Sequence, residues 1–133
     1  MATAEQRNRA KSFLKKAEEY LASAEDNLAA ERHTPAAGDA IHAGISSKDA
    51  IVTALTGSTS KAKDHATAAK ELKQALGKRP EAPAAEKTLR ELLSAKGDVE
   101  YGFALVTAAK AESLIRRART LLELAVQIVR LGR

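Results

Sequence analysis

"FLKKAEEYLASAEDNL", residues 13–28, carries the pattern on which the reading of this chain turns. Leu14, Ala17, Leu21, Ala24 and Leu28 step by three and four, which at 3.6 residues per turn gathers them into one narrow apolar seam of coiled-coil type. Phe13 and Tyr20 flank that seam, and the pattern predicts a first helix from Thr3 to Arg32. A matching seam lies at the other end. Ala111, Leu114, Ala118, Leu121, Ala125 and Ile128 repeat at the same spacing, in a helix that opens after Thr107 as N-cap.

Between the seams the chain punctuates itself. Thr34 reads as an N-cap with Pro35 at the first helical position, and Gly57 as the left-handed stop of a second helix with Ile41, Ile45, Val52 and Leu55 inward. "STSKAKD" (58–64) is a polar loop into a third helix that ends at Leu76 before Gly77 and keeps His65, Ala69 and Leu72 on one face. "KRPEAPA" (78–84) breaks the pattern, and a fourth helix follows over Ala84–Ala95 with Leu89, Leu92 and Leu93 inward. The small residues Gly38 and Gly44 on the second helix allow close approach. With alanine, leucine, lysine, arginine and glutamate dominant and no alternating strand-length run, the expected class is all-α: an up-and-down antiparallel helical bundle of about five helices, one domain over 1–133.

Composition closes several doors. The chain has no cysteine, which excludes disulfides, thiolate catalysis and Cys-based zinc sites. No run of 18 apolar residues is present, so no membrane partner is expected, and the N-terminus lacks the apolar core of a secretory signal; cytoplasmic is the default. The net charge is +5, with Arg7, Arg9, Lys11, Lys15 and Lys16 near one end and Arg116, Arg117, Arg119, Arg130 and Arg133 near the other. Such clusters permit nucleic-acid contact, but solvated helix faces look the same, and two Phe and two Tyr offer little for base stacking.

Three histidines are the first candidates for chemistry. His33 adjoins Arg32 at a helix junction, where a cation offsets the helix dipole. His42 sits beside the apolar stripe of the second helix, as a partly buried hydrogen-bonded side chain would. Asp64 and His65 could form an acid–base pair, and the aspartate equally suits a helix first turn. No His-x-x-His or His-Glu-x-x-His pair occurs; a long-range set of His42, His65 and Asp49 or Asp64 is the metal combination left, and no metal or cofactor is assigned. Phosphate loops and the Gly-x-Ser-x-Gly elbow are absent. "AKGDVEYGF" (95–103) has two readings. In one it is a connection, with Gly97 ending a helix, Asp98 capping the next and Tyr101 packing its ring; in the other it is the remnant of a site.

The order of segments carries a resemblance. "FLKKAEEYLASAEDNL", "AGDAIHAGISSKDAIVTAL", "KDHATAAKEL", a fourth helix, "KGDVEYG" and "TAAKAESLIRRARTLL" follow one another as in the HEPN superfamily (higher eukaryotes and prokaryotes nucleotide-binding domains), and the chain resembles its small actinobacterial members over nearly its whole length. The resemblance implies a bundle that commonly forms homodimers. Many members are metal-independent ribonucleases of toxin–antitoxin, RNA-processing or defence systems, with an arginine and a histidine separated by four to six residues: the first holds phosphate charge, the second serves acid–base chemistry. Here the matching positions are Lys96 and Tyr101, a Lys-x4-Tyr pair, and no arginine stands at that distance before His33, His42 or His65. Lysine is a point charge rather than a bidentate fork, and tyrosine with a pKa of about 10 is a poor base. The resemblance therefore implies a degenerate motif in a non-catalytic, dimerising module that binds a partner protein, nucleotide or RNA. A nucleotidyltransferase is the partner that accompanies such domains, and the ligand candidates are His42, Asp64, His65, Lys96 and Tyr101. The alternative it leaves is a ribonuclease using Lys96 and Tyr101, with His42 or His65, across a dimer cleft.

Overall fold

Thr3 opens the first helix as expected. Its hydroxyl accepts from the Gln6 N–H while the Gln6 side chain accepts from the Thr3 N–H, a reciprocal cap that satisfies two otherwise orphaned donors. Helix α1 then runs Ala4–Ala29. It stops short of Arg32 because the chain turns left-handed at Glu31 (φ 62°) and the Arg32 N–H bonds back to the Asn27 carbonyl at 2.8 Å. The computed structural model describes residues 2–60 and 65–133.

Helix α2 spans His33–Thr56, so it starts one residue before Thr34 rather than after it. Thr34 is not a cap: its hydroxyl accepts the N–H of Val106, 72 residues away, at 3.1 Å. Gly57 closes α2 in the left-handed region (φ 95°), donating to Thr53. Helix α3 is His65–Leu76, stopped by Gly77 at φ 60°. Helix α4 is Ala82–Ser94. It begins two residues earlier than expected, because a proline in the first turn removes an N–H that would have no intrahelical partner, and Pro83 is tolerated there. The segment read as a turn is a further short helix, α5 (Lys96–Tyr101), with Gly97 inside it rather than ending α4. Helix α6, Ala108–Ala125, is capped by Thr107 as expected and runs on through a π-helical turn, Val126–Arg130.

The architecture is the all-α, up-and-down antiparallel bundle that the periodicity implies, with α5 added. Three residues join α1 to α2, which forces them antiparallel, and Asp39 pins the pair by accepting from Ser23 (2.6 Å) and Asn27 (3.1 Å). Helix α2 lies at the centre and packs against α1, α3, α4, α5, α6 and the π turn. The two seams face inward: Leu14, Ala17, Leu21 and Ala24 of α1, and Ala111, Leu114, Ala118, Leu121 and Ala125 of α6, are all buried. Fully burying each such leucine stabilises the fold by roughly 1.5–3 kcal/mol.

Of the two α2 glycines, Gly44 is where a side chain would cost more. A Cβ there would stand 2.5 Å from Leu92 Cδ1 of α4, whereas at Gly38 the nearest atom, Val99 Cγ1, would be at an ordinary 3.9 Å. Close approach is thus a requirement at one of the two glycines. Gly44→Val is expected to destabilise the protein by about 1–3 kcal/mol through overpacking of the α2–α4 contact, with Gly38→Ala near neutral, measured by urea unfolding.

Candidate functional site

The stripe Ile41, Ile45, Lys48, Val52 steps by four, three and four along α2, and one of its members is a lysine. Lys48 is as buried as the apolar residues beside it, with 3% of its surface exposed. A buried ammonium must be paired. Lys48 Nζ meets a Glu71 carboxylate oxygen of α3, Asp49 Oδ1 at 3.2 Å and Thr59 Oγ1 at 2.9 Å. Thr59 in turn donates to Asp49 at 2.7 Å, and Ser60 bonds Glu71 through both its N–H (3.2 Å) and its hydroxyl (3.0 Å). This network fastens α3 and the 58–60 segment to the central helix.

Around it opens a cleft of about 650 Å³. Its apolar wall is Phe13 of α1, Ile45 of α2, Ala68 of α3, and Leu89 and Leu93 of α4. Its polar side holds Ser58, Thr59 and Ser60 with Lys48 and Asp49. Arg9, His65 and Lys96 complete the lining with three basic groups from α1, α3 and α5. Arg9 pairs with Glu5 at 3.1 Å, but both side chains are more than half exposed and such a pair holds weakly. Lys96 makes no ion pair among the described residues. Lys48 is already matched by two carboxylates, so among the described residues the cations of the lining available to an incoming anion are Arg9 and Lys96, with the His65 ring beside them.

Glu71 has its pKa shifted by opposing effects. Burial pushes it up, while the hydrogen bond and charge of Lys48 and the two bonds from Ser60 pull it down more strongly, leaving it below the usual carboxylate range.

The candidate residues fall in different places. Lys96 and His65 share the cleft. Tyr101 does not: it ends α5 with its side chain out of the core and is 83% exposed rather than packed. His42 does not line the cleft either; it stacks on Tyr20 with ring centroids 5.2 Å apart and places Nε2 3.2 Å from Glu100 Oε1, joining α1, α2 and α5. Asp64 lies outside the described residues. Among the described residues no three His, Asp or Glu side chains converge as metal ligands, and no helix is long and apolar enough to cross a membrane. The arginines near the C-terminus are largely engaged within the chain, Arg117 with Glu91 (2.9 Å), Arg119 with Glu25 (3.2 Å) and Arg130 with Glu18 (3.0 Å).

A family model for the HEPN domain matches residues 10–129. The chain belongs to the HEPN family. Neither the curated proteins nor the solved structures contain a match to it. The HEPN match spans every residue of the cleft lining except Arg9, which stands one position before it.

Lys48 and the 58–60 segment of this HEPN cleft, and Glu71 that fastens them from α3, are what reading for chemical motifs passes over. The signal was present for Lys48, since a charge on a three–four apolar stripe has to be buried and paired. Nothing local marks Glu71 as its partner. Because the folded-state pKa of Glu71 is depressed, its contribution is complete above the unfolded value of about 4.3 and is lost as pH falls through the lower folded value. Glu71→Gln is expected to lower stability at neutral pH by about 1–3 kcal/mol and to flatten the acid limb of a stability–pH curve below pH about 4.3, measured by thermal unfolding across pH.

Proposed function

We propose that this HEPN protein is a dimeric, non-catalytic binding module whose cleft takes a phosphate-bearing ligand, a nucleotide or one residue of an RNA strand. The observation that carries the reading is the lining itself. Apolar side chains suited to the face of a base line the same cleft as Arg9, Lys96 and His65 and the hydroxyl residues Ser58, Thr59 and Ser60. The volume of about 650 Å³ lies in the range of small-molecule sites. Family membership supports a nucleotide- or RNA-related role, and a toxin–antitoxin or defence setting beside a nucleotidyltransferase is the context it favours, to be tested by co-purification with such an enzyme.

The ribonuclease reading has one feature in its favour: His65, an acid–base group, shares the cleft with the cation Lys96. Against it, Tyr101 does not line the cleft, and neither does His42.

Titration of the purified protein with 5′-AMP and with a short single-stranded RNA in EDTA tests both readings. Lys96→Ala and Arg9→Ala are each expected to weaken binding about tenfold, the loss of one charge-assisted contact, while the RNA stays intact. Cleavage that disappears in Lys96→Ala and Tyr101→Phe would replace the binding reading with the nuclease one. Absence of binding to either probe would sink the cleft assignment.

A further inference from the structure

Arg116 is the exception among the arginines of α6. Arg117 and Arg119 are paired with glutamates of other helices, whereas Arg116 makes no ion pair among the described residues and its guanidinium donates no hydrogen bond there. Five N–H donors on one exposed side chain are therefore left to water.

Arg116 does not stand alone. Ser113, Arg116, Arg117 and Thr120 fall at i, i+3, i+4 and i+7, which places all four on one stripe of α6. With Thr88 of α4 they line a depression of about 280 Å³. Every side chain of that lining ends in a guanidinium or carries a hydroxyl, and none is an acid. The depression shares no residue with the cleft that holds Arg9, His65 and Lys96.

Two of its members are already positioned. Arg117 donates through Nη1 to the Ser113 hydroxyl and to the Ser113 carbonyl (3.3 Å), and through Nη2 to Glu91 of α4 (2.9 Å). Ser113 accepts in that contact, so its own O–H is left to donate. Thr120 spends its O–H on the Arg116 carbonyl at 3.1 Å. The donors turned to no acceptor among the described residues are thus the Arg116 guanidinium and the hydroxyls of Ser113 and Thr88. Glu91 offsets the charge of Arg117 but leaves that of Arg116 uncompensated.

We propose that this depression is a second anion site, separate from the cleft, for a small tetrahedral oxyanion of the phosphate or sulfate class. A guanidinium fork with hydroxyls beside it matches the oxygens of such an ion, and charge-assisted bonds of this kind are the strong ones. The size agrees. Pockets for drug-sized ligands run from roughly 300 to 1,000 Å³, and this one is smaller. No apolar or aromatic side chain is present in the lining to stack on a base, so the group recognised is the oxyanion itself.

The test is a two-dimensional NMR titration of the nitrogen-15-labelled full chain with sodium phosphate, run against sodium chloride at matched ionic strength. Saturable shifts are expected at the amides of Thr88, Ser113, Arg116, Arg117 and Thr120, reproduced by sulfate and not by chloride. Arg116→Ala is expected to weaken phosphate binding about tenfold, the loss of one charge-assisted contact, and to leave 5′-AMP binding unchanged. Arg119→Ala, which removes a positive charge from the same helix outside the depression, is expected to leave phosphate binding unchanged. Circular dichroism verifies the fold of each variant. Shifts that follow chloride equally, or that persist at full strength in Arg116→Ala, overturn the site. Shifts confined to the cleft overturn it too and leave the cleft reading standing. A short single-stranded RNA that displaces phosphate from these five residues gives the contact to a polymer strand and overturns the small-ion assignment.

Discussion

Helix α2 has almost no side that faces water, and that constraint organises the molecule. A helix surrounded by five others can be approached closely only if its side chains are small, which is why Ala36, Ala37, Ala40, Ala43, Gly44, Ser46, Ser47 and Ala50 make up so much of its buried surface. The leucines come from its neighbours, Leu14 and Leu21 from α1, Leu89 and Leu92 from α4, and Leu114 and Leu121 from α6. Ser47 and Thr53 hydroxyls are buried there without a hydrogen-bond partner among the described residues, a local cost of roughly 1–3 kcal/mol each that the surrounding packing outweighs.

A lysine placed on such a helix has to bring its counter-charges with it. Lys48 does so through Asp49 beside it and Glu71 on α3, and the same contacts hold the 58–60 segment against the helix. The cleft is a consequence. Polar groups hold α3 and the 58–60 segment, and among the described residues a cleft is left between them and α1, α4 and α5. Arg9, His65 and Lys96 can then converge on it from three helices. The network that holds Lys48 also holds residues of the cleft lining.

The opening of α5 and its exit serve different ends. Lys96 begins the helix at the cleft and Tyr101 ends it at the surface, so the Lys-x4-Tyr pair, five residues apart on a helix, is divided between two places. On a helix five residues span about 140° beyond a full turn, which keeps the two side chains from sharing one cleft within a chain. Tyr101 is exposed instead, as are Phe103 and Leu105.

Much of the fold was legible because helical periodicity and helix ends are local. The seams of α1 and α6, the start of α1 at Thr3, the cap at Thr107 and the stops at Gly57 and Gly77 all depend on residues within one turn of each other, and short links forced antiparallel neighbours. The family too was readable from the order of segments. The expected cap at Thr34 failed for a non-local reason, since its hydroxyl serves Val106 across the bundle. The cleft was legible only in fragments: Lys96 and His65 were marked by chemistry, while Glu71 and the serine–threonine segment carried no local sign of their role. Sequence alone determined the five longer helices and their inward faces, because a helix buries what recurs at three and four, while the short α5 was read as a turn. Only tertiary packing decided which charges meet Lys48, which cations face one cleft and which aromatic rings stay in water, because those depend on distances between residues far apart in the chain.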